Sequence, residues 1–232
     1  MSGGSYEYEG AEYLKLGEGP LANYNASIAA LVRRYGAGAT DVMDFGAGIG
    51  TLSTAVRAGG LDPLCVEPDS AQRAELVRRG FRAVASAGEI PDGSLDYIYS
   101  SNVLEHIEDD VATLVMLRAK LRPGGTLLLY VPAFQSLFSS MDLTVGHFRR
   151  YDAASLGGKL RDAGFTVDDL FYADFFGYFA TLAFKRLGNS MSNANSLTYR
   201  VFDSFIFPVG CLIERAVRIP VGKNIVGVAR KA

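Results

Sequence analysis

The sequence is poor in cysteine and carries no excess of either charge. Its 232 residues include only two cysteines, Cys65 and Cys211, so no disulfide framework is expected and a reducing, cytoplasmic compartment is predicted. The first ten residues lack the basic region and the apolar run of a signal peptide. Lys and Arg number 23 against 25 Asp and Glu, which gives no reason to expect a nucleic-acid partner.

Long uncharged apolar runs are absent as well, although two stretches are rich in aromatic residues. Charged residues and a proline bracket or interrupt residues 171–184 and 199–219, so neither stretch is predicted to span a bilayer. Three interpretations stay open: a lid with an apolar acceptor pocket, a homodimer interface, or a contact with the inner face of a membrane. The few Lys and Arg beside these stretches weaken the third interpretation.

The sequence does contain an alternation of short apolar strands with helical segments. Strands are predicted over residues 41–45, 62–68, 81–85, 95–101, 126–132, 166–174 and 224–231. One helix is predicted from about Leu104 to Leu121, and residues 133–151 are predicted to form a long loop. The alternation indicates an α/β fold with a doubly wound, Rossmann-like and mostly parallel sheet.

The same pattern divides the chain into four predicted parts. Residues 1–40 are an N-terminal arm and helix, residues 41–174 a cofactor-binding core, residues 175–221 a helical insert or lid, and residues 222–232 the last strand of the core. Within the insert, residues 188–196 are the best candidate for a flexible linker.

Three glycines at alternate positions follow the first predicted strand. The strand ends near Asp44, and Gly46, Gly48 and Gly50 lead into a helix, so a bulky ligand could lie against backbone at the carboxyl edge of the sheet. Glu67 closes the second strand, where a carboxylate can accept hydrogen bonds from both hydroxyls of a ribose. The motif predicts a nucleoside cofactor site. Its G-x-G-x-G spacing differs from the G-x-G-x-x-G of dinucleotide sites.

Four segments in this order resemble class I S-adenosylmethionine-dependent methyltransferases. The glycine segment DFGAGIG is similar to that family's first motif, and VEPD at residues 66–69 is similar to its acidic second motif. Residues 86–107 resemble the stretch that holds the adenine and then the methionine end of the cofactor, and residues 121–132 resemble the turn and strand after the fourth helix. The resemblance implies S-adenosylmethionine as cofactor and a seven-stranded sheet whose last strand runs antiparallel.

The resemblance also implies which residues contact the cofactor. They are strand ends, the glycine loop and the residues after the third and fourth strands. The set is Asp44, Gly46, Ala47, Gly48, Gly50, Glu67, Pro68, Ser86, Ala87, Asn102, Val103 and His106. Ser86 stands where the family often has an acidic residue, so a weaker hydrogen bond to the adenine amine is expected.

Candidate residues for the acceptor lie in GHFRRYD, beyond the fifth strand. His147 is the candidate catalytic base. Arg149, Arg150 and Tyr151 are candidate substrate residues, because arginines at this edge could fork onto a phosphate or carboxylate. Methyl transfer from a sulfonium needs alignment and no metal, although a hydroxyl acceptor also needs a base. The segment resembles one in bacterial methyltransferases of surface polysaccharide or lipid-linked sugar pathways. A small sugar, lipid-linked or otherwise amphipathic acceptor, methylated on O or N, is therefore expected.

Two other functions stay open on the sequence alone. A nicotinamide-dependent oxidoreductase could share the sheet, but the glycine spacing is wrong for it and the expected region lacks a Tyr-x-x-x-Lys pair. A cofactor-binding module without catalysis, acting as a regulator or an assembly partner, could carry the same loop. The four matched segments favour methyl transfer.

Overall fold

A computed structural model of the chain describes residues 21–186 and 196–232. Residues 1–20 of the predicted N-terminal arm and helix, and nearly all of the predicted linker, lie outside the described residues. The strands are β1 (Val42–Phe45), β2 (Leu64–Val66), β3 (Ala83–Val84), β4 (Leu95–Ser101), β5 (Leu121–Pro132), β6 (Phe165–Ala173) and β7 (Asn224–Lys231). The α-helices are α1 (Ala22–Tyr35), α2 (Thr51–Arg57), α3 (Ser70–Arg78), α4 (Asp110–Lys120), α5 (Ser140–Thr144), α6 (Ala153–Asp162), α7 (Phe175–Arg186), α8 (Ser196–Val201) and α9 (Phe207–Ala216).

The strands form one seven-stranded sheet in the order β3-β2-β1-β4-β5-β7-β6. Strands β1 to β5 pair in parallel, and β7 pairs antiparallel with both β5 and β6. This arrangement confirms the predicted fold class and the antiparallel last strand. The strand order reverses between β1 and β4, and ligands of open α/β sheets bind in the crevice at the carboxyl ends of such strands.

The central strands carry apolar side chains on both faces because both faces of the sheet are covered. In β4, Ile98 packs into the core on one face, while its neighbours Tyr97 and Tyr99 pack into the core on the other. In β5, Leu127 and Leu128 alternate in the same way. Successive side chains of a strand point to opposite faces, so an uninterrupted apolar run is what a doubly covered strand requires.

The helix predicted from Leu104 to Leu121 is in fact two elements. A 3₁₀ turn, Leu104–His106, is followed by α4, whose N-cap Asp109 accepts a hydrogen bond from the N–H of Ala112 at 3.0 Å. Aspartate is a favoured N-cap residue, so Asp109 starts a separate helix after the 3₁₀ turn. Strand β5 also begins earlier than predicted, at Leu121.

The long loop predicted at residues 133–151 contains two short helices. One is a 3₁₀ turn, Gln135–Leu137, and the other is α5. Helix α5 begins with a capping box in which Ser139 and Asp142 bond each other's backbone N–H groups. The capping box fixes the position of Asp142, which binds His147 and Arg150 in the site described below.

Helices α7, α8 and α9, with a π-helical turn at Phe202–Ile206, lie between β6 and β7 in the sequence and are called the helical insert below. The insert is attached to α1 through Asp203. The buried carboxylate of Asp203 accepts hydrogen bonds from the N–H groups of Asn23 and Tyr24, both at 2.9 Å. An acidic group at a helix N-terminus satisfies free N–H groups and complements the helix dipole. No helix among the described residues is long and apolar enough to cross a membrane.

Candidate active site

The glycine loop after β1 is a left-handed turn that only glycine can form here. Gly46, Gly48 and Gly50 have φ angles of +81°, +56° and +85°. A Cβ atom on Gly46 would lie 2.3 Å from Cγ2 of Val103, so the loop can pack against the residue after β4 only without a side chain. The N–H of Gly46 donates to the carbonyl of Val66 at 2.9 Å, which holds the loop against β2.

Glu67 joins the loops that follow β1 and β2. Its carboxylate accepts hydrogen bonds from the N–H of Gly48 at 2.8 Å, through Oε2, and from the N–H of Asp69 at 2.9 Å, through Oε1. Burial raises the pKa of Glu67, and these two N–H donors oppose the rise. A carboxylate oxygen can accept more than one hydrogen bond, so the carboxylate remains able to receive the two hydroxyls of a ribose.

Asp44 is buried at the end of β1. Burial raises the pKa of its carboxyl group to about 7, although the hydroxyl of Ser53 donates a hydrogen bond that favours the charged form. The carboxyl group lies in the wall of the cavity described below.

Ser86 and Ala87 form the start of a 3₁₀ turn, Ala87–Glu89. The hydroxyl of Ser86 accepts the N–H of Gly88 at 3.1 Å, and Glu89 accepts the N–H of Ser86 at 3.0 Å. The Ser86 hydroxyl therefore already has a capping role. A contact between Ser86 and the adenine stays a prediction.

A cavity of about 440 Å³ opens at the carboxyl edge of the sheet. Six of the predicted cofactor residues line it: Asp44, Gly46, Ala47, Gly48, Asn102 and His106. The other six lie outside its lining: Gly50, Glu67, Pro68, Ser86, Ala87 and Val103. Helix α1 and the helical insert complete the walls, so the cavity extends from the glycine loop to the aromatic insert.

Beyond the cofactor loop, the cavity wall contains a hydrogen-bonded group around Asp142. Its Oδ1 atom lies 2.8 Å from Nδ1 of His147, and its carboxylate accepts Nε and Nη2 of Arg150 at 2.8 and 3.1 Å. Burial would raise the pKa of Asp142, but the bonds from His147 and Arg150 hold it well below its usual range. His147 and Arg150 therefore lie together in the cavity wall, as predicted, but each is bound to a carboxylate that sequence analysis missed.

Glu105 and His106 lie beside His147. Burial raises the pKa of Glu105 to about 8. Burial, followed by the neighbouring His147, lowers the pKa of His106 to about 4. The rings of His106 and His147 meet edge to face with their centroids 4.5 Å apart.

Arg149 and Tyr151 do not line the cavity, contrary to their predicted role as substrate residues. Both bind the buried carboxylate of Asp110, Arg149 at 2.8 Å and the Tyr151 hydroxyl at 3.0 Å. Lys159 of α6 binds the same carboxylate at 2.8 Å. Arg150 thus lies toward the cavity while its neighbours Arg149 and Tyr151 lie toward α4, because neighbouring residues of an extended chain point in different directions. His147 lines the cavity as well, where Asp142 holds it.

Sequence analysis missed Asp142 and gave Glu105 no role of its own. Asp142 carried a usable signal, since it stands three residues after Ser139 in a capping-box pattern and five residues before His147. Glu105 carried no such signal, because an acidic residue between an apolar residue and a histidine is as easily exposed to solvent as buried.

The comparisons with known proteins identify the family. A family profile described as "Methyltransferase domain" matches residues 21–170, about two thirds of the 232-residue chain. The chain belongs to the class I S-adenosylmethionine-dependent methyltransferase family. Its cofactor is therefore S-adenosylmethionine, as the resemblance of the four segments implied.

Individual relatives are distant. An uncharacterized methyltransferase of Mycobacterium sp. (strain KMS) is 29% identical over 116 residues, which is 48% of this chain and 46% of that protein. The chain thus spans about half the length of the curated relatives it matches.

Solved structures share the fold. A SAM-dependent methyltransferase from Archaeoglobus fulgidus is 20% identical with a TM-score of 0.62, covering 94% of this chain and 100% of that one. A possible histamine N-methyltransferase from Thermotoga maritima is 14% identical with a TM-score of 0.66, covering 95% and 94%.

The glycine loop yields a first prediction. Gly46→Ala should raise the Kd for S-adenosylmethionine at least tenfold, because the new Cβ collides with Val103 and the loop must shift. Gly38→Ala is the matched control: Gly38 has a φ of +83°, and nothing lies within 4 Å of its Cβ position. Both variants carry the strain of a left-handed residue, about 1–2 kcal/mol. Calorimetric titration should show the affinity loss in Gly46→Ala alone, and equal affinities would remove the collision as its cause.

Glu67 yields a second prediction. Glu67→Ala should weaken binding of S-adenosylmethionine by about 1–3 kcal/mol, the magnitude of hydrogen bonds to a charged group. Glu75→Ala, on the helix that follows, is the control, because Glu75 pairs with Arg78 and Arg79 instead of the glycine loop. The same titration measures both variants, and an unchanged affinity in Glu67→Ala would exclude Glu67 from the site.

Proposed function

We propose that this chain transfers the methyl group of S-adenosylmethionine to an oxygen or nitrogen of a small amphipathic acceptor, such as a lipid-linked sugar. The cavity supports this proposal because its wall combines two kinds of side chain. Polar groups from the loops beside the sheet, Asn102, Glu105 and His147, line it together with apolar side chains of the helical insert, Phe184 and Phe202 among them.

The reaction requires mainly that the acceptor atom lie in line with the methyl group and its sulfur. Holding two reactants in that geometry can remove several kcal/mol from the barrier. An apolar tail packed against the insert would anchor the acceptor, while its polar end lies beside the glycine loop. A hydroxyl acceptor must also lose a proton, and we assign this to the cluster of Glu105 and His147 in the polar wall.

The acceptor class can be tested by where the methylated product partitions. With labelled S-adenosylmethionine and a cell extract of the source organism, the label should appear in the organic-soluble fraction. Phe202→Ala should reduce the rate about tenfold or more, since a buried Phe side chain contributes about 1.5–3 kcal/mol. Phe205→Ala, three residues away and 72% exposed, should leave the rate in detergent solution unchanged.

Two other outcomes would contradict the proposal. Label confined to the water-soluble fraction would contradict an amphipathic acceptor. An absence of label, with S-adenosylmethionine still bound, would favour the non-catalytic module.

We further propose that the outer face of the insert rests on an anionic membrane surface. Seven large apolar side chains of the insert are exposed by 42% or more: Phe179, Leu197, Val201, Phe205, Ile206, Val209 and Leu212. The exposed charges of its described residues are all positive, on Lys185, Arg186, Arg200 and Arg215. Its two acidic residues are otherwise engaged, because Asp203 binds α1 and Glu214 binds the N–H of Phe175. An apolar face bordered by cations suits an anionic bilayer.

Vesicle sedimentation tests this contact. The chain should sediment with vesicles of phosphatidylcholine mixed with phosphatidylglycerol, and less with pure phosphatidylcholine. Phe205→Ser and Leu212→Ser should each weaken binding about tenfold or more. Val77→Ser is the control, because Val77 is 58% exposed on α3, outside the insert. A dimer in solution that Phe205→Ser dissociates would assign the face to a homodimer instead.

A further inference from the structure

Glu105 lacks the partners that a buried carboxylate requires. Its side chain is 0% exposed, and neither oxygen has a hydrogen-bond partner among the described residues. Arg150, which lies nearby, already binds Asp142 with Nε and Nη2. A buried carboxyl group without a partner is costly only in its charged form, and a cation bound beside Glu105 would stabilise that charge.

Two imidazoles face this carboxylate. His106 follows Glu105 in the same 3₁₀ turn, and Nε2 of His147 lies 3.9 Å from Oε1 of Glu105. One donor atom from each of the three residues can be chosen so that all lie within 4.8 Å of one another. Ligands around a tetrahedral Zn²⁺ ion are about 3.3 Å apart, so side-chain shifts of about 1 Å would complete the coordination.

The surrounding hydrogen bonds prepare His147 to bind a metal. Asp142 accepts a hydrogen bond from Nδ1, so the proton of a neutral ring lies on Nδ1 and the lone pair lies on Nε2, the atom nearest Glu105. Metal-bound histidines characteristically donate their other N–H to a carboxylate or a carbonyl. His106 is hydrogen-bonded to the backbone at Val145 and Gly146, which is the second of these arrangements.

We propose that Glu105, His106 and His147 bind a divalent transition-metal ion, with Zn²⁺ as the best match. Two nitrogens and one carboxylate suit zinc, whereas Mg²⁺ and Ca²⁺ prefer oxygen ligands alone. All three residues line the cavity that contains the glycine loop, so the open coordination position faces the place assigned to the acceptor. Asp142 is a positioning residue, since it acts through His147.

The ion would change the role of His147. With Nε2 bound to metal, His147 cannot take a proton from the acceptor. A metal-bound hydroxyl has a lowered pKa, and its proton can pass to water. The oxygen then forms its bond to the methyl carbon as the sulfur–carbon bond breaks, releasing S-adenosylhomocysteine. This last step rests on the proposed function, whereas ion binding does not.

The test measures ion binding alone, without S-adenosylmethionine or acceptor. Tag-free full-length protein, stripped with a chelator, is titrated with Zn²⁺ by calorimetry and with Co²⁺ by visible absorption. One equivalent of Zn²⁺ should bind with a Kd below about 1 μM, and Co²⁺ should give a spectrum with nitrogen ligands. His106 and His147 are the only two histidines of the sequence, so such a spectrum can arise from no other imidazole.

Matched variants decide the outcome. Glu105→Gln and His147→Ala should each weaken binding at least 100-fold, and Asp142→Asn about 10- to 100-fold. Glu105→Gln keeps the side-chain shape and cannot become charged, so it should stay folded by circular dichroism. Cys211→Ser should bind Zn²⁺ like the unaltered chain. Absence of binding, or binding that survives Glu105→Gln and His147→Ala, would overturn the proposal.

Discussion

The hydrogen bond from the N–H of Gly48 to the carboxylate of Glu67 is the contact on which the cofactor end of the site depends. It joins the loops after two neighbouring parallel strands, and parallel pairing brings their carboxyl ends to one edge. The bond requires a left-handed backbone at Gly48, with a φ of +56°, and an acidic residue where β2 ends. The turn and the acid predicted to bind the ribose therefore form one unit, so a change in either alters the other.

Buried acidic groups explain much of the remaining architecture, because each fixes elements that are distant in sequence. Asp110 binds Arg149 and Lys159, which joins α4 to the loop beyond β5 and to α6. Asp203 binds the first turn of α1, and Asp142 holds His147 and Arg150. Each of these three carboxylates is surrounded by N–H donors or cations, which is the usual condition for burying a charge. Glu105 stands apart from them, because it is as deeply buried and lies against two imidazoles without a hydrogen bond.

The pattern of apolar residues predicted the sheet well. The central strands are covered on both faces, so they appear in the sequence as short, nearly continuous apolar runs. The bounds of β4 and β7 were predicted correctly, and four matched segments in order, the glycine loop among them, led to the family. The direction of each side chain within GHFRRYD could not be predicted from the sequence. The partner of Arg149 and Tyr151 is Asp110, about 40 residues away in sequence, and no local pattern shows which residue of an Arg-Arg pair will meet it. Ion pairs with Asp110 and Asp142, and not local propensity, determine which side chains of GHFRRYD face the cavity and which face the core.

The helical insert presents apolar side chains both to the cavity and to its outer surface. Phe202 lines the cavity, whereas Phe205, in the same π-helical turn, is 72% exposed. A helix that is apolar all round is usually buried on all sides, so an apolar side chain left outside requires a second surface to cover it. Asp203, between these two residues in sequence, binds α1, which lines the cofactor cavity as well. Under the proposed function, the insert would carry an acceptor tail from a bilayer to the sheet edge, and the bond of Asp203 to α1 attaches the insert to the helix that lines the same cavity.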